Sequence, residues 1–221
     1  MLTGSNAIRR RRALRLLIGG TAGLGLFGCG GGGTGGATER ETDQTGASPS
    51  AAPRTFDAEA EFSATANPNG PWSYGWSRTV GSPFMLDVRT DGMTTWSGPV
   101  HAPSALGSDF PNIEHHDAAL FLRPGPNGEF AVLRFTAAVA GTYVLDTVVR
   151  SNGLNNSAAY ILLDGETVSQ MLPSQQSPEF IRSNPQVLMA GSTVDVAVGY
   201  GIDCTSRGDD TLIGIKLTLV S

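Results

Sequence analysis

From Thr55 onward no stretch keeps a 3.6-residue hydrophobic period over twelve residues, while short alternating apolar runs recur along the chain. Val194, Val196 and Val198 show the pattern. Successive side chains of a strand point to opposite faces, so these three share one face and predict a half-buried strand. Comparable runs occupy Phe84–Arg89, Ala119–Arg123, Phe130–Phe135, Tyr143–Arg150, Ala159–Leu163, Phe180-Ile181 and Leu212–Val220. Turn chemistry separates them: Pro124–Gly128, Ala140-Gly141, Asp164-Gly165 and Ala190-Gly191. About ten strands at this spacing predict an all-β chain folded as a jelly-roll β-sandwich. Residues 55–221 form one domain, long enough to bury a core of its own.

The N-terminal part reads differently. Arg9, Arg10, Arg11, Arg12 and Arg15 lead into an apolar stretch, Leu16–Phe27, that is rich in glycine. As a helix it rises only ~18 Å against a hydrocarbon core of about 30 Å, so it predicts a signal segment over 1–28 rather than a permanent span. Leu26-Phe27-Gly28-Cys29 resembles the lipobox of bacterial lipoproteins, which implies cleavage before Cys29 and lipidation of its thiol. Arg11-Arg12-Ala13-Leu14-Arg15 resembles the twin-arginine export signal, and a plain Sec signal fits the same arginine run. Either route places the chain outside the cytoplasm, anchored to a bacterial membrane. Residues 29–54 hold the lipidated cysteine and a Gly-, Thr-, Ser- and Pro-rich linker without hydrophobic period, a tether with an r.m.s. span of ~25–30 Å.

Charge narrows the partners. The chain carries 15 basic and 20 acidic side chains, and five of the arginines precede Cys29 while no acid does. The part after Cys29 is therefore strongly acidic, and Lys216 is its only lysine. Nucleic acid is excluded as a partner by that sign. Once Cys29 is lipidated, Cys204 is the one remaining thiol; no internal disulfide can form, and Cys204 reads as a small buried hydrophobe or an intermolecular partner.

Asn67-Pro68-Asn69-Gly70-Pro71-Trp72-Ser73-Tyr74-Gly75-Trp76 couples two turns to three aromatics at alternate positions. It resembles the NPNG-x-WSYGW signature of jelly-roll modules in exported bacterial proteins, many of which bear PEP-CTERM sorting tails. Further matches follow in order: Trp96, Leu122-Arg123-Pro124-Gly125 where the family often has Leu-His-Pro-Gly, Ala140–Tyr143, Ala190–Asp195 and Asp210-Thr211. The resemblance implies a galactose-binding-like, carbohydrate-binding-module-like fold. It also implies a structural Ca²⁺ between the first and last strands, with Glu59, Glu61, Asp209 and Asp210 as oxygen donors.

Trp72, Tyr74, Trp76 and Trp96 are the candidate ligand-binding residues, because sugar C–H faces stack on aromatic rings. The alternative is that a same-face stripe on a strand packs inward as core. Glu114-His115-His116-Asp117 invites a zinc reading with His101. Adjacent strand residues face opposite ways, however, so a polar loop before Ala119 fits better. No Gly-x-Ser-x-Gly elbow occurs, and no acid–base carboxylate pair can be placed. The expectation is a non-catalytic, membrane-tethered module for a polysaccharide or other envelope polymer. A structural scaffold of the envelope is the alternative, and a hydrolase is the third reading.

Overall fold

A computed structural model describes residues 52–98, 111–117, 119–152, 157–172, 178–201 and 210–221. Cys29, the signal segment and nearly all of the linker lie outside the described residues, as do His101, Cys204 and Asp209. Among the described residues no helix is long and apolar enough to cross a membrane.

Every regular element described is a strand. In chain order they are β1 (Arg54–Asp57), β2 (Trp72–Ser77), β3 (Met85–Leu86), β4 (Arg89–Thr90) and β5 (Thr95–Ser97). Next come β6 (Asn112–His116), β7 (Ala119–Arg123), β8 (Phe130–Thr136), β9 (Gly141–Ser151) and β10 (Ala158–Leu163). The last five are β11 (Glu166–Met171), β12 (Glu179–Arg182), β13 (Gln186–Leu188), β14 (Thr193–Gly199) and β15 (Thr211–Leu219). The long apolar runs became β7, β8, β9, β10, β14 and β15. The expected ten strands fall short because β1, β5, β6, β11 and β13 are short or polar and show little alternation.

The strands form two antiparallel sheets. Nine belong to one, in the order β12-β9-β15-β7-β6-β5-β4 with β1 added on β15 and β13 on β9. Six form the other, in the order β11-β10-β14-β8-β2-β3. This is the jelly-roll β-sandwich. The first and last strands pair with each other, from Arg54↔Leu219 to Asp57↔Lys216. One core cluster runs from Phe56 to Leu217, inside the compact unit Ala47–Ser221, which thus carries its own hydrophobic interior.

The two outer faces differ. Val194, Val196 and Val198 face the core as expected, yet Asp195, Ala197 and Gly199 on the opposite side of β14 are buried too. The expected half-buried strand is buried on both faces, because Phe84, Phe130 and Tyr160 pack over it in a second apolar cluster. Arg134 and Asp195, paired across β8 and β14, close this layer with two hydrogen bonds of 2.7 and 2.8 Å. The guanidinium also lies 4.2 Å from the Phe84 ring centroid.

Glycines make room for that cover. A Cβ at Gly75 would collide with the Met85 carbonyl and the Phe84 ring, and one at Gly199 with the Phe130 ring. The bare Gly75 therefore leaves the space that the Phe84 ring occupies against the sheet. Gly75→Ala is expected to destabilise the domain by about 1–3 kcal/mol, the usual range for overpacking. Urea unfolding of residues 47–221 would show it as a lower midpoint at unchanged slope.

Candidate functional site

The Asn67–Trp76 signature first builds structure. Asn67 takes the Tyr74 N–H on Oδ1 at 2.9 Å and donates from Nδ2 to the carbonyls of Tyr74 (2.7 Å) and Asp87 (2.9 Å). Its side chain thereby mimics a strand partner on both β2 and the segment after β3. Asn69 donates to the Glu61 carbonyl at 2.7 Å and ties down the preceding turn.

The aromatics it carries are core. Trp72 and Tyr74 have no exposed surface and Trp96 is 6% exposed, so three of the four candidate ligand-binding rings offer no face to a sugar. The reason is the inward side of β2. Trp72 meets Phe135 edge-on at 5.3 Å, and Tyr74 stacks on Trp96 at 6.3 Å. Their polar tips are satisfied by the turn over residues 58–66: Trp72 Nε1 donates to Glu61 Oε2 (3.0 Å) and Trp96 Nε1 to the Ser63 carbonyl (2.7 Å). Tyr74 Oη accepts from the Ser63 N–H at 3.2 Å, and burial pushes this phenol up to about 12. Trp76 is half-buried at the far end of β2.

The expected calcium donors are not brought together. The chain turns back at Asp57, where the Glu61 N–H bonds the Asp57 carbonyl, while still level with Ile215 and Lys216. That leaves Glu59 and Glu61 ~17 Å along β15 from Asp210. Glu61 is engaged by Trp72 and the Asp57 N–H, and Asp210 pairs with Arg123. Asp209 lies outside the described residues. Among the described residues no group of three His, Cys, Asp or Glu is placed to hold a metal. Residues 112–116 are strand β6 rather than a polar loop. His115 stacks on Phe62 inside, while His116 Nε2 lies 3.1 Å from Glu114 Oε2 outside.

Asp87 is a residue the sequence did not single out. Paired beside Tyr74, it is 2% exposed, and among the described residues neither carboxylate oxygen has a hydrogen-bond partner. Burial alone pushes it up to about 8. A raised carboxyl is a mark of a general acid. Among the described residues no charged neighbour acts on Asp87, and burial at 2% exposure favours its neutral form. The folded state binds this proton more tightly than the unfolded chain. Stability from Asp87 is therefore present below pH 4 and is lost as pH rises towards 8, by up to about 1.4 kcal/mol per pH unit. Melting temperatures between pH 5 and 8 should fall with pH in the native chain and fall less in Asp87→Asn.

The exposed chemistry lies on the outer face of the nine-stranded sheet. Phe180 of β12 is 74% exposed, and the register places it in one row with Val148 of β9 and Gly214 of β15. Gly214, bare of side chain, floors a depression of about 290 Å³ beside the Phe180 ring. The next row is charged and alternates in sign: Arg182, Asp146, Lys216, Asp57. Arg182 sits 3.6 Å from Asp146, and Lys216 2.7 Å from Asp57, which holds the ammonium above its usual range. Sequence reasoning missed this aromatic because Phe180-Ile181 is too short a run to say which of the two faces out.

No family model and no curated protein matches the chain. Among solved structures it is similar to a family 35 carbohydrate binding module from Clostridium thermocellum, at 13% identity over 76% of this chain and 98% of that one, with a TM-score of 0.33. CBM51 from Clostridium perfringens GH95, in complex with methyl-galactose, shares 12% identity over 74% and 99%, with a TM-score of 0.37. The C-terminal CBM6 of LamC from Zobellia galactanivorans shares 9% over 75% and 98%, with a TM-score of 0.32.

Proposed function

We propose that the protein is an extracytoplasmic lipoprotein, held to a bacterial membrane through Cys29, whose sandwich is a non-catalytic module for a glycan or other envelope polymer. The observation that carries the binding role is Phe180, an exposed ring at the edge of a glycine-floored depression with a charged row beside it. The C–H face of a sugar stacks on such a ring, while its hydroxyls reach guanidinium, ammonium and carboxylate groups one row away. The depression is shallow and open along the sheet, which suits a segment of polymer passing over it. An anchor of lipid and a linker of ~25–30 Å would hold that face off the membrane. A scaffold role is the second reading, favoured by exposed Val187 (75%) and Met189 (65%) along the same edge of the sheet.

A glycan array with residues 47–221 and with Phe180→Ala separates the two. Retention of a polysaccharide that weakens about tenfold in the variant supports stacking at Phe180. Retention of none, or retention unchanged by the substitution, sinks this site and leaves the scaffold reading. The anchor is tested separately in the full chain: Cys29→Ser should move the protein from the membrane to the soluble fraction, and persistence in the membrane would remove lipidation from the account.

A further inference from the structure

The two sheets part at one side of the sandwich. There β11 is the edge of the six-stranded sheet, while β12 and β13 form the edge of the other. Between them opens a cavity of about 340 Å³ that reaches the core. Its floor is Leu145, Ile161, Leu188 and Leu217, all buried and drawn from both sheets. No lining residue carries a charge. At the mouth stand Val168, Ser169 and Gln186. The register of β10 on β11 slips between Ile161 and Leu162, which leaves Val168 without an opposite residue. Such a bulge bends an edge strand and keeps it from closing on its neighbour.

These walls select the occupant. Water needs two to four polar partners, and the floor supplies none. A sugar would leave its hydroxyls unpaired against leucine and isoleucine. A dry cavity of ~150 Å³ with similar walls takes up benzene, so this one has room for roughly twice that, on the order of ten carbons. Among the described residues the mouth has neutral hydrogen-bonding groups and no cation to hold a carboxylate.

We propose that this inter-sheet cavity binds one unbranched alkyl chain of a neutral-headed lipid, its head at Ser169 and Gln186 and its tail against Leu145, Ile161 and Leu217. The site lies on the other side of β12 from the Phe180 ring, with Ile181 bordering both. Filling the floor with methylenes restores the dispersion contacts that the gap forfeits, and the mouth groups take the head.

The test is titration of residues 47–221 with 1-hexanol, 1-octanol and 1-decanol, followed by the methyl resonances of Leu145, Leu188 and Leu217. Saturable one-to-one binding is expected, tightening about fifteenfold for each added pair of methylenes. Decanoate should bind at least tenfold more weakly than decanol. Ser169→Trp, which points into the mouth opposite Ile161, should abolish the shifts, and Val187→Ala on the outer face should leave them unchanged. Absence of chain-length dependence, shifts confined to methyls outside the cavity, or decanoate binding as tightly as decanol would overturn the proposal. The native-chain titration decides the matter even if Ser169→Trp does not fold.

Discussion

Trp72 and Tyr74 enter the interior with a polar tip each, and a buried indole N–H or phenol must find a partner. Glu61 and the Ser63 backbone provide them, so the turn between β1 and β2 has to lie against the open end of the aromatic stripe. Asn67 then fixes that turn to β2 and to the segment after β3, with three hydrogen bonds from one side chain. The passage from one sheet to the other, the seating of Trp96 and the position of Asp87 all follow from this arrangement. It also explains why the acids near the first strand are not free for a metal: Glu61 is already bonded to the tryptophan it covers.

Much of this was legible from the residues and some was not. Runs such as Phe130–Phe135 and Leu212–Val220 became strands β8 and β15 because five or more apolar residues in so short a run leave few other ways to bury them. Glu166–Met171 became β11 with only Met171 buried, and pattern alone does not mark such an edge. The alternation of Trp72, Tyr74 and Trp76 correctly put them on one face, but period two does not say which face is inside. That depends on the second sheet and on Phe135 across the gap. The pairing of donors for calcium failed for a related reason. Nearness of first and last strands was visible, whereas their antiparallel register, which separates Glu61 from Asp210, was not.

The signature motif and the exposed chemistry therefore lie apart. The most distinctive residues in the chain hold the fold, and the ring that can meet a ligand sits in a two-residue apolar run with no pattern to mark it. Residues that close a sandwich need a particular sequence, because every buried donor has a fixed partner. A stacking face needs only a ring, a small neighbour and nearby charge, and Phe180, Gly214 and Arg182 meet that need from two separate strands.

The asymmetry between the sheets limits where anything can bind. On the six-stranded sheet, Phe84, Phe130 and Tyr160 cover the outer side, and Arg134 with Asp195 fills the remaining space to about 20 Å³. Opening that side would uncover an ion pair that is more stable bonded than apart. Among the described residues the nine-stranded sheet has no such apolar cover over its outer row of Arg182, Asp146, Lys216 and Asp57. Between the sheets, the bulged edge at Val168 stands at an opening that leads to the core. A polymer and an alkyl chain would thus meet different surfaces, one open on the outer face beside a charged row, the other enclosed between the layers. The two share strands β9, β12 and β15 but face opposite sides of them. Alternation along the strand turns the Phe180 ring outward alone, while Ile181, next to it in the chain, lines the cavity and borders the outer depression as well.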